Sequence, residues 1–354
     1  HAGKGKSHGW FFFTCYNSEQ ANTLLEVNAS QNDKDFIMAV NWKKAEEYIK
    51  AGKGKIEKTK YAHNTWNDET HTGTSVIKDE VLVLDAMAMK DICYLMPCPK
   101  SPHGCDVDPT GEYIVGSGKL AALIPVFSFD KMVKAIGKKD YEGDYEGIPV
   151  LKYNSVLHGE VQKPGLGPLH TEFDGKGNAY TTFFVSSEVV KWDIKTLKVL
   201  DRVPTYYSVG HLMIPGGDSK KPFGKYLVAY NKITKDRYLP TGPELTQSAQ
   251  LYDISGDKMK LLLDFPTIGE PHYAQAAPAD LIRNNGQLKI YDIKKNNHPR
   301  VAKGEKETKV VREGNKVHVY MTMVRSHFSP DNIEGIKVGD DVYFHITNLE
   351  QDWD

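Results

Sequence analysis

The feature that most constrains the fold is a repeated cadence. A short β-branched or aromatic strand ends in Asp-Ile, a polar corner follows, and a return strand leads back. It is written most fully at 187–194, 195–197 and 198–203, and again at 249–254, 255–257 and 258–262. Similar runs at 10–14, 111–115, 178–184 and 224–230 each follow a Gly-bearing or polar turn, which marks them as strands after tight reversals. A meander of this size cannot bury its apolar faces alone, so such units stack side by side. Histidines flanked by Gly or Pro punctuate the series: His103, His170, His211 and His272 lie 67, 41 and 61 residues apart. A propeller blade takes roughly 40–50 residues, and insertions lengthen it, so the spacing favours a β-propeller over a sandwich. Residues 35–55 depart from the cadence and predict a short helix closed by Gly52. A nearly apolar-free stretch at 294–309 reads as a linker. Beyond it, 316–323 alternates like a strand and 338–348 runs turn-then-strand, the opening of a small β-sandwich. The expected division is 1–305 for a partial propeller and 306–354 for the start of a second β domain.

Composition excludes several function classes. No stretch of the 354 residues approaches 18 consecutive apolar positions, so no membrane insertion is expected. Lys plus Arg number 45 against 46 for Asp plus Glu, and a net charge of -1 offers no field to draw in nucleic acid. The four cysteines, Cys15, Cys93, Cys98 and Cys105, form neither a disulfide framework nor the paired spacing of a zinc ribbon. The sequence opens on His1 with no charged-then-apolar leader in view, so either a leader was removed or the chain is a fragment, and the compartment is not legible from that end. Nucleophile elbow, phosphate loop, dinucleotide fingerprint and H-E-x-x-H motif are all missing.

What remains is histidine. In Pro102-His103-Gly104, Gly167-Pro168-Leu169-His170, Gly210-His211 and Pro271-His272, a residue that lets the backbone turn sharply sits beside an imidazole near a strand end. A propeller sends equivalent positions of successive blades to one end of its channel, where ligands distant in sequence can meet. Imidazole suits copper, zinc, iron or nickel, and many histidines without matching carboxylates lean to copper. The same spacing also fits four ordinary hydrogen-bonded histidines. Tyr16, Glu19 and Asp33 offer oxygen donors that suit calcium, though not in an EF-hand pattern, and Lys232 is either near a site or solvated. His63, His71, His158, His298 and His327 share no such context.

Six ordered blocks carry a family resemblance: 15–19 (Cys-Tyr-Asn-Ser-Glu), 102–105 (Pro-His-Gly-Cys), 116–120 (Gly-Ser-Gly-Lys-Leu), 165–175, 235–243 and 269–272. They resemble nitrous oxide reductase. The resemblance implies an all-β chain, a seven-bladed β-propeller lacking its N-terminal blades, followed by the first strands of a cupredoxin-like sandwich. It implies a four-copper sulfide cluster (CuZ) on seven histidines, four of which match His103, His170, His211 and His272; the other three are expected upstream, and His8 lies too near the Tyr-Asn-Ser-Glu block to be one. Tyr16, Glu19 and Asp33 match calcium ligands, Ser101 stands where the family usually has Asn, and Lys232 matches a lysine at the cluster edge, a catalytic group that assists protonation. The dinuclear CuA centre is expected beyond Asp354, so the chain resembles an internal fragment, inactive alone, and its insertion around 53–74 and its wording at 267–272 resemble the atypical branch. The implied activity is reduction of nitrous oxide to dinitrogen and water, the last step of denitrification, in a periplasmic head-to-tail homodimer fed by a cytochrome c or small copper protein. The alternative from another class is a noncatalytic propeller scaffold.

Overall fold

The computed structural model describes residues 1–15, 35–63, 75–206, 208–232, 247–267, 271–278, 302, 304–324, 327–330 and 332–348. The chain divides into two compact units, one of His1–Glu57 with Val81–Ala279 and one of Lys58–Glu80 with Asp280–Asp354. Most of the 294–309 stretch lies outside the described residues.

Four sheets build the first unit. The first runs β1 (Trp10–Cys15), β2 (Asp35–Asn41), β5 (Cys93–Cys98), β10 (Ile148–Leu151) and β9 (Tyr141–Tyr145). The second runs β6 (Pro102–Val107), β7 (Tyr113–Gly118), β8 (Leu123–Ser128) and β11 (Leu157–Gln162). The third is β12 (Pro168–Phe173), β13 (Asn178–Phe183), β14 (Glu188–Asp193) and β15 (Val199–Pro204); the fourth is β16 (Val209–Met213), β17 (Tyr226–Asn231), β18 (Ser248–Asp253) and β19 (Lys260–Pro266). The last two are four-stranded antiparallel meanders, the form of propeller blades, and the second is also four-stranded and antiparallel but takes its outer strand, β11, only after the chain has passed through β9 and β10 of the first sheet. The first differs: its fifth strand is reached through a parallel β5–β10 pairing.

Side-chain alternation explains why the sheets stack. Three buried clusters fill the three gaps between four blades. Phe12, Ile37, Met96, Ile114 and Phe127 form one; Val115, Ile124, Phe173, Phe183 and Trp192 the next; Tyr180, Val189, Leu212, Leu227 and Tyr252 the last. Each fully buried aromatic or aliphatic side chain contributes about 1.5–3 kcal/mol, so every blade is stabilised mainly by its neighbours. Trp192 also keeps its indole N–H satisfied, donating to Thr181 Oγ1 at 2.9 Å.

The Asp-Ile cadence has a physical reason. Asp193 Oδ1 accepts from the backbone N–H groups of Lys195 and Thr196, which folds the corner, while Ile194 is buried in the interblade core. Asp253 and Ile254 repeat the device, with Asp253 Oδ1 accepting from Ser255 N–H. The helix expected near residue 42 is α1 (Trp42–Lys50), capped by Asn41. A second helix, α2 (Phe129–Lys138), was not expected; Ser128 caps it, Phe129, Met132 and Ala135 anchor it on the core, and Lys139 ends it at φ 54°. Among the described residues the unit also has short helical turns at Gly5–Ser7 and at α3 (Tyr153–Val156).

In the second unit β20 (Lys309–Glu313), β21 (Lys316–Val324) and β22 (His327–Ser329) form a sheet, with β23 (Asp341–Asn348) parallel to β21. Val317, Val319 and Met321 are its buried core. The expected strands at 316–323 and within 338–348 are both present. The strands β3 (Lys55–His63) and β4 (Ser75–Val83) pair as a separate two-stranded sheet. Among the described residues no helix is long and apolar enough to cross a membrane.

Candidate metal centre

The inner strands β1, β6, β12 and β16 lie side by side, and three of them carry a histidine: His103 on β6, His170 on β12, His211 on β16. Each sits where the ladder to the next strand loses register. The shift falls between Pro102 and Gly104, between Pro168 and Thr171, and between Val209 and Leu212. A bulge re-aims the side chain at the irregular position, so the Gly and Pro beside these histidines serve to point imidazoles out of the alternating pattern. His272 comes after β19 in a segment without regular secondary structure.

The four rings form a continuous chain. His103 and His170 have centroids 5.0 Å apart and meet edge to face; His170 and His211 stack at 3.7 Å; His211 and His272 meet edge to face at 4.6 Å. Two close approaches set this geometry. Gly104 lies so near the carbonyl oxygen of Leu169 that a Cβ has no room, which brings the inner strands of adjacent blades together at the first two histidines. Thr182 Oγ1 accepts from His170 N–H at 3.4 Å and donates to the Gly210 carbonyl at 2.5 Å, tying the backbones behind the second and third.

Among the described residues the buried ring atoms His170 Nε2 and His211 Nδ1 find no hydrogen-bond partner. Leaving such an atom unpaired costs about 1–3 kcal/mol, so both are poised for something that accepts a lone pair. Burial, reinforced by the other histidines and Lys232, holds His170 well below the ordinary imidazole pKa. Burial, then Lys232, pulls His211 down to about 3. Both rings are neutral at physiological pH, the form that ligates metal. Among the described residues no three His, Cys, Asp or Glu side chains surround one point as ligands of a single ion.

Lys232 is brought to the same place. Its aliphatic stem lies across Gly210, filling the space where a Cβ would stand, next to His211. His8 is exposed and meets Trp42 edge-on at 5.5 Å, outside the chain of rings. Ser101 is buried at φ 57° with its N–H donated to Asp35 Oδ2 at 2.6 Å. Tyr16, Glu19 and Asp33 lie outside the described residues.

Sequence reasoning missed the carboxylates. A cavity of about 370 Å³ is lined by His103, His170 and His211 together with Asp106, Glu172, Asp218 and Tyr273. Burial, then the negative charge of Asp218, pushes Glu172 up to about 9. The same two causes raise Asp106 to about 7, against the Thr171 N–H, the amino group of His1 and Lys4. Lys4 is itself buried, donating to the Val107 carbonyl at 2.9 Å; burial lowers its pKa although Asp218, Asp106, Glu172 and Asp108 work the other way. The pH dependence follows. A carboxyl with a raised folded pKa binds more proton folded than unfolded, so its contribution is fully present below the unfolded value and lost as pH rises through the folded one. The metal-free chain is therefore expected to lose stability between about pH 4 and 9, by at most about 1.4 kcal/mol per pH unit per group. Urea midpoints across that range check it, and Asp106→Asn should flatten the lower part of the curve.

Comparison with known proteins follows the geometry. Residues 202–272, the fourth blade with its approach and His272, match the family described as nitrous oxide reductase propeller repeat. The chain is 35% identical over 96% of its length to a nitrous-oxide reductase of Stutzerimonas stutzeri and 33% identical over 96% to one of Pseudomonas fluorescens, covering 51% of each. It is 36% identical to one of Ralstonia nicotianae over 72% of this chain and 38% of that one. The chain thus spans about half the length of the curated relatives it matches most fully. With the bulged, histidine-bearing inner strands inside the aligned span, the sequence is similar to nitrous-oxide reductases over nearly its whole length, and its fourth blade matches their propeller repeat.

Proposed function

We propose that His103, His170, His211 and His272 hold part of a copper-sulfide cluster at which nitrous oxide is reduced to dinitrogen and water. The observation that carries this reading is the unbroken chain of four imidazoles, two with buried nitrogens that find no partner among the described residues. A donor set of neutral imidazoles suits copper, and rings spread along a line suit a group of several metals better than one ion. The names of the relatives support the same substrate. Held by these imidazoles, such a cluster would supply electrons and Lewis acidity to the substrate. The balance is N2O plus two electrons and two protons to N2 plus water.

The chain's own residues supply the rest. The bulges fix three of the four rings, and Thr182 holds two of their backbones. Lys232, lying over Gly210, places a positive charge and a donatable proton at Nζ where oxygen gains charge as the N–O bond breaks. Tyr16, Glu19 and Asp33 would stiffen the neighbouring loop through calcium. The reading extends to a periplasmic head-to-tail dimer with a dinuclear CuA centre, receiving electrons from a cytochrome c or small copper protein.

Gly210→Ala separates the lysine from the fold. Only a flexible side chain must move aside, so stability should change by less than about 1 kcal/mol, while nitrous oxide reduction by the full-length enzyme should fall at least about tenfold. Copper and sulfide analysis of the full-length protein, with its visible spectrum and a nitrous oxide consumption assay, tests the function as a whole. Bound copper with sulfide-to-copper absorption and turnover is expected; a copper-free protein without turnover would make this a noncatalytic scaffold.

A further inference from the structure

The second unit carries another pair of imidazoles, on β21 and β23. In their parallel register His318 stands opposite Tyr343, and Tyr320 opposite His345. All four side chains project from one face, because each pair is two residues from the next along its strand. The rings stack across the strands, His318 on Tyr343 with centroids 4.9 Å apart and Tyr320 on His345 at 4.8 Å. On the diagonal, His318 Nδ1 and His345 Nε2 approach to 3.0 Å with ring planes only 16° apart. The other nitrogen of His318, Nε2, faces Glu313 Oε2 at 4.0 Å.

We infer that this pair is a binding site for a divalent first-row transition-metal ion, separate from the four-histidine centre. Two near-coplanar imidazoles aim one nitrogen each into the same gap. At ordinary metal-to-imidazole lengths of about 2.0–2.1 Å, tetrahedral ligation sets two such nitrogens about 3.3 Å apart, so a small ring rotation replaces the shared proton by a metal. Glu313, 4.0 Å from Nε2, is close enough to accept a hydrogen bond from Nε2–H of His318 after a small rotation, and with the proton kept on Nε2 the lone pair is on Nδ1; a carboxylate behind a ligating imidazole is the usual orienting partner. The stacked tyrosines hold both ring planes. His318 is 5% exposed, while His345 and Tyr343 open the pair to solvent. Thr347, one step along the same face, has a buried hydroxyl without a hydrogen-bond partner, which a metal-bound water can satisfy. Imidazole nitrogen selects zinc, copper or nickel over calcium or magnesium.

The test is a zinc titration of the 354-residue chain followed by calorimetry. To break up the four-histidine centre, the parent carries His103→Ala, His170→Ala, His211→Ala and His272→Ala. One zinc ion should bind this parent, and adding His345→Gln should weaken that event at least tenfold. His318→Ala should do the same, with circular dichroism to verify its fold. If His318→Ala unfolds, His345→Gln, on the edge strand and half-buried, gives the decisive reading. Equal zinc stoichiometry and affinity with and without His345 would overturn the assignment, as would no zinc binding to the parent; the pair would then be a hydrogen bond and nothing more.

Discussion

Replacing His170 with alanine in the full-length protein is expected to remove most of the bound copper and to lower nitrous oxide reduction by more than about 100-fold, with the propeller still folded. His170 is the middle of the ring chain, touching both His103 and His211, so its loss breaks the set in two. Losing an outer-shell partner already costs about 10- to 100-fold in metal affinity or activity, and a direct ligand costs more. The fold should tolerate the change. Among the described residues His170 Nε2 makes no hydrogen bond that alanine would forfeit, and the link from His170 N–H to Thr182 is a backbone bond that survives. Copper analysis, far-ultraviolet circular dichroism and steady-state rates check the three parts; full copper loading with normal turnover would contradict the role.

Gly104→Ala should act in the opposite way, through the fold. The added methyl group would run into the carbonyl oxygen of Leu169 on the adjacent inner strand. Nothing flexible stands there to give, unlike the lysine stem over Gly210. Two blades would have to part, pulling Phe173 and Val115 out of the core between them. Overpacking in a well-filled interior costs about 1–3 kcal/mol, and backbone against backbone belongs at or above the upper end. A urea midpoint lowered by an amount worth about 3 kcal/mol is expected. A variant as stable as the parent would mean that the inner strands are not held at this separation.

Much of this arrangement was legible in the sequence because its signals are local. The Asp-Ile corners are written within a few residues of each other, and Asp193 and Asp253 fold them with their own neighbours. The Gly or Pro beside each histidine is local too, and the ladder shifts at Pro102, Pro168 and Val209 give its reason. What escaped notice is nonlocal or small. Asp106, Glu172 and Asp218 are ordinary charged residues in sequence, and they become a buried acidic cluster only when adjacent blades close around one cavity. Thr182 is one threonine in a β-rich run, and nothing nearby announces that it bridges two histidine-bearing strands. The parallel β5–β10 pairing joins segments some fifty residues apart, which no period-2 pattern encodes. The helix α2 had its signal in Ser128 and the apolar stripe of Phe129, Met132 and Ala135, but the surrounding strand cadence masked it.

The central claim is that His103, His170, His211 and His272 share one copper group. Anomalous diffraction at the copper absorption edge, from crystals of the copper-loaded full-length protein, addresses it most directly. Copper peaks about 2 Å from a ring nitrogen of each of the four are the predicted result. Peaks elsewhere, with these rings still stacked on one another and unligated, would contradict it.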